Sequence, residues 1–231
     1  QDALIDNSDF KRTAIRFNTN YQATERLSFA LDGFLKREET NSPYGNGTGS
    51  APLFRMMYEI PPIYPGLWAN GSYGEGWQGA NPYAFIQAGG LSDVITSRIQ
   101  LNLRANYKIS DWLSAEVTYA PKYISSNSNS KVKKFAFTRL DNTTGTYPNE
   151  VNRLILNHGN TTEPFYQGIL KFNKTFNKHA VSAMAGTEYL DSKSEGFSAS
   201  RQNYVLQDYM VLNSGDPNTK DNSDSPVPSG W

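Results

Sequence analysis

Few residues in this sequence have the type and spacing to do chemistry. The two histidines, His158 and His179, stand alone, and no Gly-x-Ser-x-Gly, phosphate-cradling Gly-rich loop or His-Glu-x-x-His accompanies them. Glu38 and Glu39 form an acidic pair at the end of an alternating stretch, which reads as solvated carboxylates rather than a glycosidase dyad. Asp216, Asn218, Asp221 and Asp224 offer oxygen ligands without calcium-loop spacing, so they read as a polar tail. With no cysteine, thiolate catalysis, disulfides and Cys-based metal sites drop out together. The expectation is no catalytic set, no metal and no cofactor.

Aromatic residues are the better functional candidates. Tyr58, Tyr64, Trp68, Tyr73, Trp77 and Tyr83 crowd one stretch that is also rich in Gly, Pro and Asn. Flat rings stack on sugar rings, and mixed aromatic-polar surfaces also hold peptides or a protein partner. For any single ring, packing within its own loop is the stronger reading. For the stretch as a whole, contact with a ligand or partner is expected.

The elements that must carry these residues show a period of two. Thr13, Ile15, Phe17, Thr19 and Tyr21 alternate with Arg12, Ala14, Arg16, Asn18 and Asn20. After Thr24-Glu25 the pattern resumes with Leu27, Phe29, Leu31, Gly33 and Leu35 against Arg26, Ser28, Asp32, Lys36 and Glu38. A second hairpin sets Ile95, Ile99, Leu101, Leu103 and Tyr107 against Thr96, Arg98, Gln100, Asn102 and Arg104, turns at Ser110-Asp111 and leaves through Leu113, Ala115, Val117 and Tyr119. A weaker third turns at Asn177-Lys178 between Phe176 and Val181. Alternation sustained this long predicts strands with one apolar and one polar face. On the polar face, Arg16, Asp32, Arg98 and Arg104 are candidates to line a passage or to pair with neighbouring structure.

The hairpins also repeat one another. Asn20-Tyr-Gln-Ala-Thr-Glu-Arg-Leu-Ser28 aligns with Asn106-Tyr-Lys-Ile-Ser-Asp-Trp-Leu-Ser114, an aromatic before the turn and an apolar-Ser pair after it. Such rings suit a membrane boundary. A strand of about 12 residues, tilted by ~45°, rises just under 30 Å, the thickness of a bilayer core. The predicted hairpins cover about 10–38, 94–124 and 165–190, and long loops take up about 40–93, 125–163 and 191–231. Tight turns at one rim and long loops at the other is the arrangement of an all-β, antiparallel transmembrane β-barrel segment of about six strands. Lys+Arg equals Asp+Glu at 22 each, so no basic field exists to hold nucleic acid. The competing reading is a secreted β-sandwich module that binds carbohydrate through its aromatic loops; an outer-membrane enzyme barrel ranks below both.

The hairpin residues resemble a known family. Asp111-Trp-Leu-Ser-Ala-Glu-Val-Thr-Tyr-Ala-Pro-Lys-Tyr123 and Phe172-Asn-Lys-Thr-Phe-Asn-Lys-His-Ala-Val-Ser-Ala-Met-Ala-Gly-Thr-Glu-Tyr189, with Phe197-Ser-Ala-Ser200, are similar to the barrel of SusC/RagA-type TonB-dependent outer-membrane transporters. The similarity runs from about Ser8 to Pro217 and is most specific over 168–200. It implies a bacterial outer-membrane location and import of an oligosaccharide or oligopeptide. It also implies a SusD-like surface lipoprotein as lid, coupling to TonB, and contact with outer-membrane lipid. The family's plug domain and TonB-contacting box have no counterpart in these residues, and about six strands fall short of a ~22-stranded barrel. The expectation is therefore an internal section of a larger transporter, inactive without the rest.

Overall fold

The computed structural model describes residues 4–44, 51–77, 79–147 and 151–227. Its strands form one antiparallel ten-stranded sheet and, apart from it, a two-stranded hairpin. In the large sheet, β1 (Asp9–Gln22) pairs with β2 (Leu27–Pro43), and β2 pairs with β3 (Gly90–Ser110) along its whole length. Beyond β3 come β4 (Leu113–Tyr119) and β5 (Lys122–Val132). The small hairpin follows, β6 (Phe135–Thr138) with β7 (Thr144–Tyr147). Then β8 (Arg153–Glu163) and β9 (Phe165–Phe176), β10 (His179–Leu190) and β11 (Lys193–Gln202), and finally β12 (Asp221–Val227) complete the set.

Three of these pairs are single long strands. β3 meets β4 at Leu103↔Tyr119 and β5 at Gln100↔Lys122 without a change of register. The interruption falls at Pro121 and, directly across, at Pro164, where proline has no N–H to donate to the ladder. The backbone still closes around the gap, through Leu101 N to Pro121 O and Asp191 N to Pro164 O. Joined this way, residues 113–132, 153–176 and 179–202 continue the meander begun by β1, β2 and β3, with β12 as a short seventh strand.

Strict alternation survives the folding. Register places Leu31, Leu103, Tyr119, Tyr166 and Tyr189 on one face, and Asp32, Asn102, Glu116, Lys171 and Lys122 on the other. At Gly33 the Phe17 ring of β1 lies over the backbone, so an added Cβ would fall 2.1 Å from its Cζ. The ring covers what glycine leaves bare. No second sheet covers either face among the described residues. The accessible surface is 15213 Å², whereas a compact chain of this size exposes about 10,500 Å². That openness removes the β-sandwich reading, whose core needs a facing sheet.

Strands reach further than alternation suggested. β5, expected as loop after residue 124, is Lys-Tyr-Ile-Ser-Ser-Asn-Ser-Asn-Ser-Lys-Val and is polar on both faces, so no period of two marks it. Its partners β3 and β8 hold it in place. The loop expected over about 191–231, with its polar tail, likewise forms β11, two 3₁₀ turns (Leu212–Ser214 and Pro217–Thr219) and β12. The last residues of that tail, to Trp231, lie outside the described residues.

The buried core is in the loops. The connection from β2 to β3 folds into α1 (Ala51–Glu59) and α2 (Pro82–Ala88), which bring Leu53, Ala84 and Phe85 against Phe135 of β6. A second cluster joins Leu154, Tyr204 and Met210. Asn7 reaches the first cluster, its Nδ2 donating to Ile86 O of α2 at 2.9 Å.

Candidate functional site

At the short-turn rim local chemistry fixes the hairpins. Thr24 Oγ1 accepts from the N–H groups of Arg26 and Leu27, and Asn177 adopts a φ of 52° in a two-residue turn that needs a left-handed residue. At the opposite rim two loops merge into one platform. Phe85 lies edge-on to Phe135 and Tyr147 at centroid distances of 5.3 and 4.6 Å, and Tyr73 meets Phe135 at 6.0 Å. Desolvation here pushes the Tyr147 hydroxyl pKa up.

Backbone contacts lock the two loops together. Thr138 N donates to Tyr73 O at 2.8 Å, Trp68 Nε1 donates to Thr138 O at 2.9 Å, and Arg139 pairs with Glu75 at 3.2 Å. Asn81 is the knot of the larger loop and is 1% exposed. Its Nδ2 donates to the carbonyls of Gly66 and Gly74, while Oδ1 accepts from the N–H groups of Tyr83 and Ala84 at the start of α2. Asn81→Ala removes a helix cap and takes the side-chain donor from the buried Gly74 carbonyl, while Gly66 O keeps the Gly74 N–H; the expected loss is about 2–4 kcal/mol of loop stability. Limited proteolysis of the complete protein reads this as faster cleavage between residues 51 and 89, with the strands uncut; unchanged cleavage would refute the role of Asn81.

The six loop aromatics therefore divide. Trp68 and Tyr73 are structural, held by the hydrogen bond and the ring cluster just described. Tyr64 meets Trp77 edge-on at 5.8 Å, and Tyr83 leans on Tyr73 at 6.2 Å. Tyr58, Trp77 and Tyr83 keep exposed surface, most of all Tyr58 at 92%. Sequence reasoning missed their apolar neighbours Phe54, Met57, Ile63 and Leu67, also exposed. The 3.6-residue period in Leu53-Phe-Arg-Met-Met-Tyr-Glu59 was the available signal.

Arg16, Asp32, Arg98 and Arg104 share the polar face of β1, β2 and β3. Arg104 reaches Asp32 at 3.8 Å, and the Arg16 guanidinium lies 5.3 Å from the Phe34 ring centre. Arg16 and Asp32, with Asn18, Gln100 and Asn102, line a concavity of about 300 Å³. Further along the same face run Arg12–Glu38–Lys36 and Lys171–Glu116 ion pairs. Glu38 and Glu39 point to opposite faces, since Glu39 pairs with Arg37 at 2.7 Å, so they form no dyad. Among the described residues no cluster of His, Asp and Glu has the arrangement of a metal centre.

A polar face of paired charges, an apolar face on the same strands, tight turns below and folded loops above define a class: part of a transmembrane β-barrel wall. The comparisons agree with it. Over 221 residues the sequence is 25% identical to TonB-dependent receptor P3 of Formosa agariphila, covering 92% of this chain and 21% of that protein. The fold matches a chain of the RagAB peptide importer in its closed-closed state with a TM-score of 0.69, at 15% identity over 94% of this chain and 25% of that chain. For the open-open state the values are 0.68, 15%, 94% and 24%. The chain thus spans about a fifth to a quarter of the proteins it matches. No protein-family model matches it. Fold and sequence similarity together support the SusC/RagA-type resemblance read from the hairpins, and the relatives are a receptor and an importer rather than enzymes.

Proposed function

We propose that this chain is a section of the barrel wall of a TonB-dependent importer in the bacterial outer membrane, moving glycans or peptides as part of the complete protein. The carrying observation is the two-faced wall, with Leu31, Leu103, Tyr119 and Tyr166 on one face and Arg16, Asp32, Arg98 and Arg104 on the other; in this reading the first face meets lipid and the second the lumen. Exposed edges support it. β1 and β10 each have one side without a strand partner among the described residues, and edges this long invite further strands. In the complete barrel the ion-paired lumen face borders a plug and the passing cargo, and TonB drives the cycle. The platform with exposed Phe54, Met57, Tyr58 and Trp77 lies outside the cell, where a SusD-like lipoprotein covers it.

Absence of cysteine makes the topology directly testable. Single cysteines are placed in the complete receptor at Tyr58 and at Lys178, and whole cells are treated with a membrane-impermeant maleimide. Tyr58→Cys is expected to label on intact cells and Lys178→Cys only after the outer membrane is opened. Labelling of Lys178→Cys on intact cells would overturn the orientation, and no membrane association of the receptor would overturn the function. Uptake of labelled oligopeptide and oligosaccharide by the same cells, with and without TonB, assigns the cargo.

A further inference from the structure

At the short-turn rim, the face of the wall that carries Leu31, Leu103 and Tyr166 ends on a cation. Along β9 this face shows Tyr166, Gly168, Leu170 and Phe172 in turn, then Lys174, its one charged residue, and Phe176 at the strand end. Neighbouring strands mark the same boundary. Leu113 stands beside Phe172 as the first residue of β4, and Val181 stands beside Lys174 two residues past the start of β10. The apolar surface reaches down to the turns, and its own residues show where it stops.

Aromatic rings hold the ammonium in place. Lys174 Nζ lies 5.2 Å from the ring centre of Trp112, in the turn before β4, and 5.2 Å from that of Phe176. Trp112 is itself fixed, edge-on to Phe172 at 5.5 Å and with its carbonyl accepting from Asn173 N at 2.8 Å. Contact with ring faces sets the position of the charge and leaves its N–H donors free. Among the described residues no carboxylate pairs with Lys174, Asp111 of the adjoining turn included, and the Trp112 indole N–H has no acceptor. Lys174, Trp112 and Phe176 are all exposed, so the donors are within reach of a ligand. Lys171, three residues earlier and on the opposite face, is instead paired with Glu116 at 2.8 Å.

An ammonium and an indole N–H, both lacking acceptors, call for an anion that only accepts hydrogen bonds. Lys178 in the hairpin turn and His179 at the start of β10 add basic groups beside them. The rings and aliphatic side chains that adjoin the donors call for a ligand whose remaining body is apolar. A phospholipid meets both demands: its phosphodiester faces Lys174 and Trp112, and its acyl chains cover Phe172 and Leu170. Cargo and plug meet the opposite face of the wall.

We infer that Lys174 and Trp112 bind the phosphate of a phospholipid in the leaflet on the short-turn side, an inference that rests on the barrel-wall reading above. The complete receptor in detergent is titrated with phosphatidylglycerol and with diacylglycerol of the same chains, read by native mass spectrometry, with inorganic phosphate as competitor. Lys174→Gln and Trp112→Phe are expected to weaken phosphatidylglycerol binding by about three- to tenfold and to leave diacylglycerol binding unchanged. Lys174→Arg and Lys171→Gln should bind as wild type does. Heat-modifiable gel migration confirms that each variant is folded. Equal binding by Lys174→Gln and wild type overturns the site, and so does an equal loss in Lys171→Gln, which would make net charge the cause. Displacement of the lipid by an equal concentration of inorganic phosphate overturns the headgroup source. Leu103→Trp separates the two readings. If brominated acyl chains fail to quench it, the barrel-wall reading falls and this inference with it; quenching without phosphate-dependent binding sinks the inference alone.

Discussion

Leu103→Arg is expected to cost the complete barrel about 2–4 kcal/mol, because a guanidinium on the lipid face near the bilayer midplane must be desolvated or must snorkel. Leu103 is four residues from Tyr107 and four from Ile99 on β3, with Leu31 and Tyr119 directly beside it. Among the described residues no acidic group shares that neighbourhood on the face, so none there neutralises the new charge. Asn106→Arg is the matched control. It puts the same charge on the same strand but on the other face, opposite Glu116 and Ser28, and is expected to change stability by no more than about 0.5 kcal/mol. Urea unfolding of the receptor in phospholipid vesicles measures both. Similar costs for the two variants would contradict the assignment of faces.

The second large effect is expected from Phe85→Ala, and it should be local. Phe85 is 2% exposed and touches the rings that join the two loops. Truncating a buried Phe costs about 3–5 kcal/mol. The wall does not share this cluster, so the loss should fall on the platform. Amide hydrogen exchange in α2, β6 and β7 is expected to rise by at least about a hundredfold, while amides of Ile99 and Leu101 keep their protection. Tyr58→Ala, at an exposed position of the same loop, should alter exchange by less than about 0.5 kcal/mol. If Phe85→Ala instead loosens the whole sheet, platform and wall are one cooperative unit. That result would remove the picture of a platform mounted on an independent scaffold.

The contrast explains where sequence reading succeeds. A strand in a barrel wall meets lipid on one side and water or polar protein on the other. Leu27 to Leu35 and Ile99 to Tyr107 therefore display their environment as a period of two, and tight turns such as Asn177-Lys178 mark the ends. β5, β8 and β11 carry polar residues on both faces. Their Ser, Asn and Thr residues look like loop in one dimension and are strand only because each pairs with a neighbour. Asn81-Pro82 carried a readable capping signal for α2, since Asn caps and Pro suits the first turn. Surrounding Gly, Pro and aromatic residues obscured it.

By itself, then, the sequence determined the alternating hairpins, their turns, the two faces of the wall and the family they resemble. Those features are local, repeated every second residue and set by a solvent that differs across the sheet. Only the tertiary structure decided the rest. It carried the strands through Pro121 and Pro164, tied Trp68 and Tyr73 into the loop contacts while leaving Tyr58 and Trp77 open, and brought Asn127, His158 and Phe197 side by side from three strands. Each of these depends on contacts between residues distant in the chain, which no local pattern records.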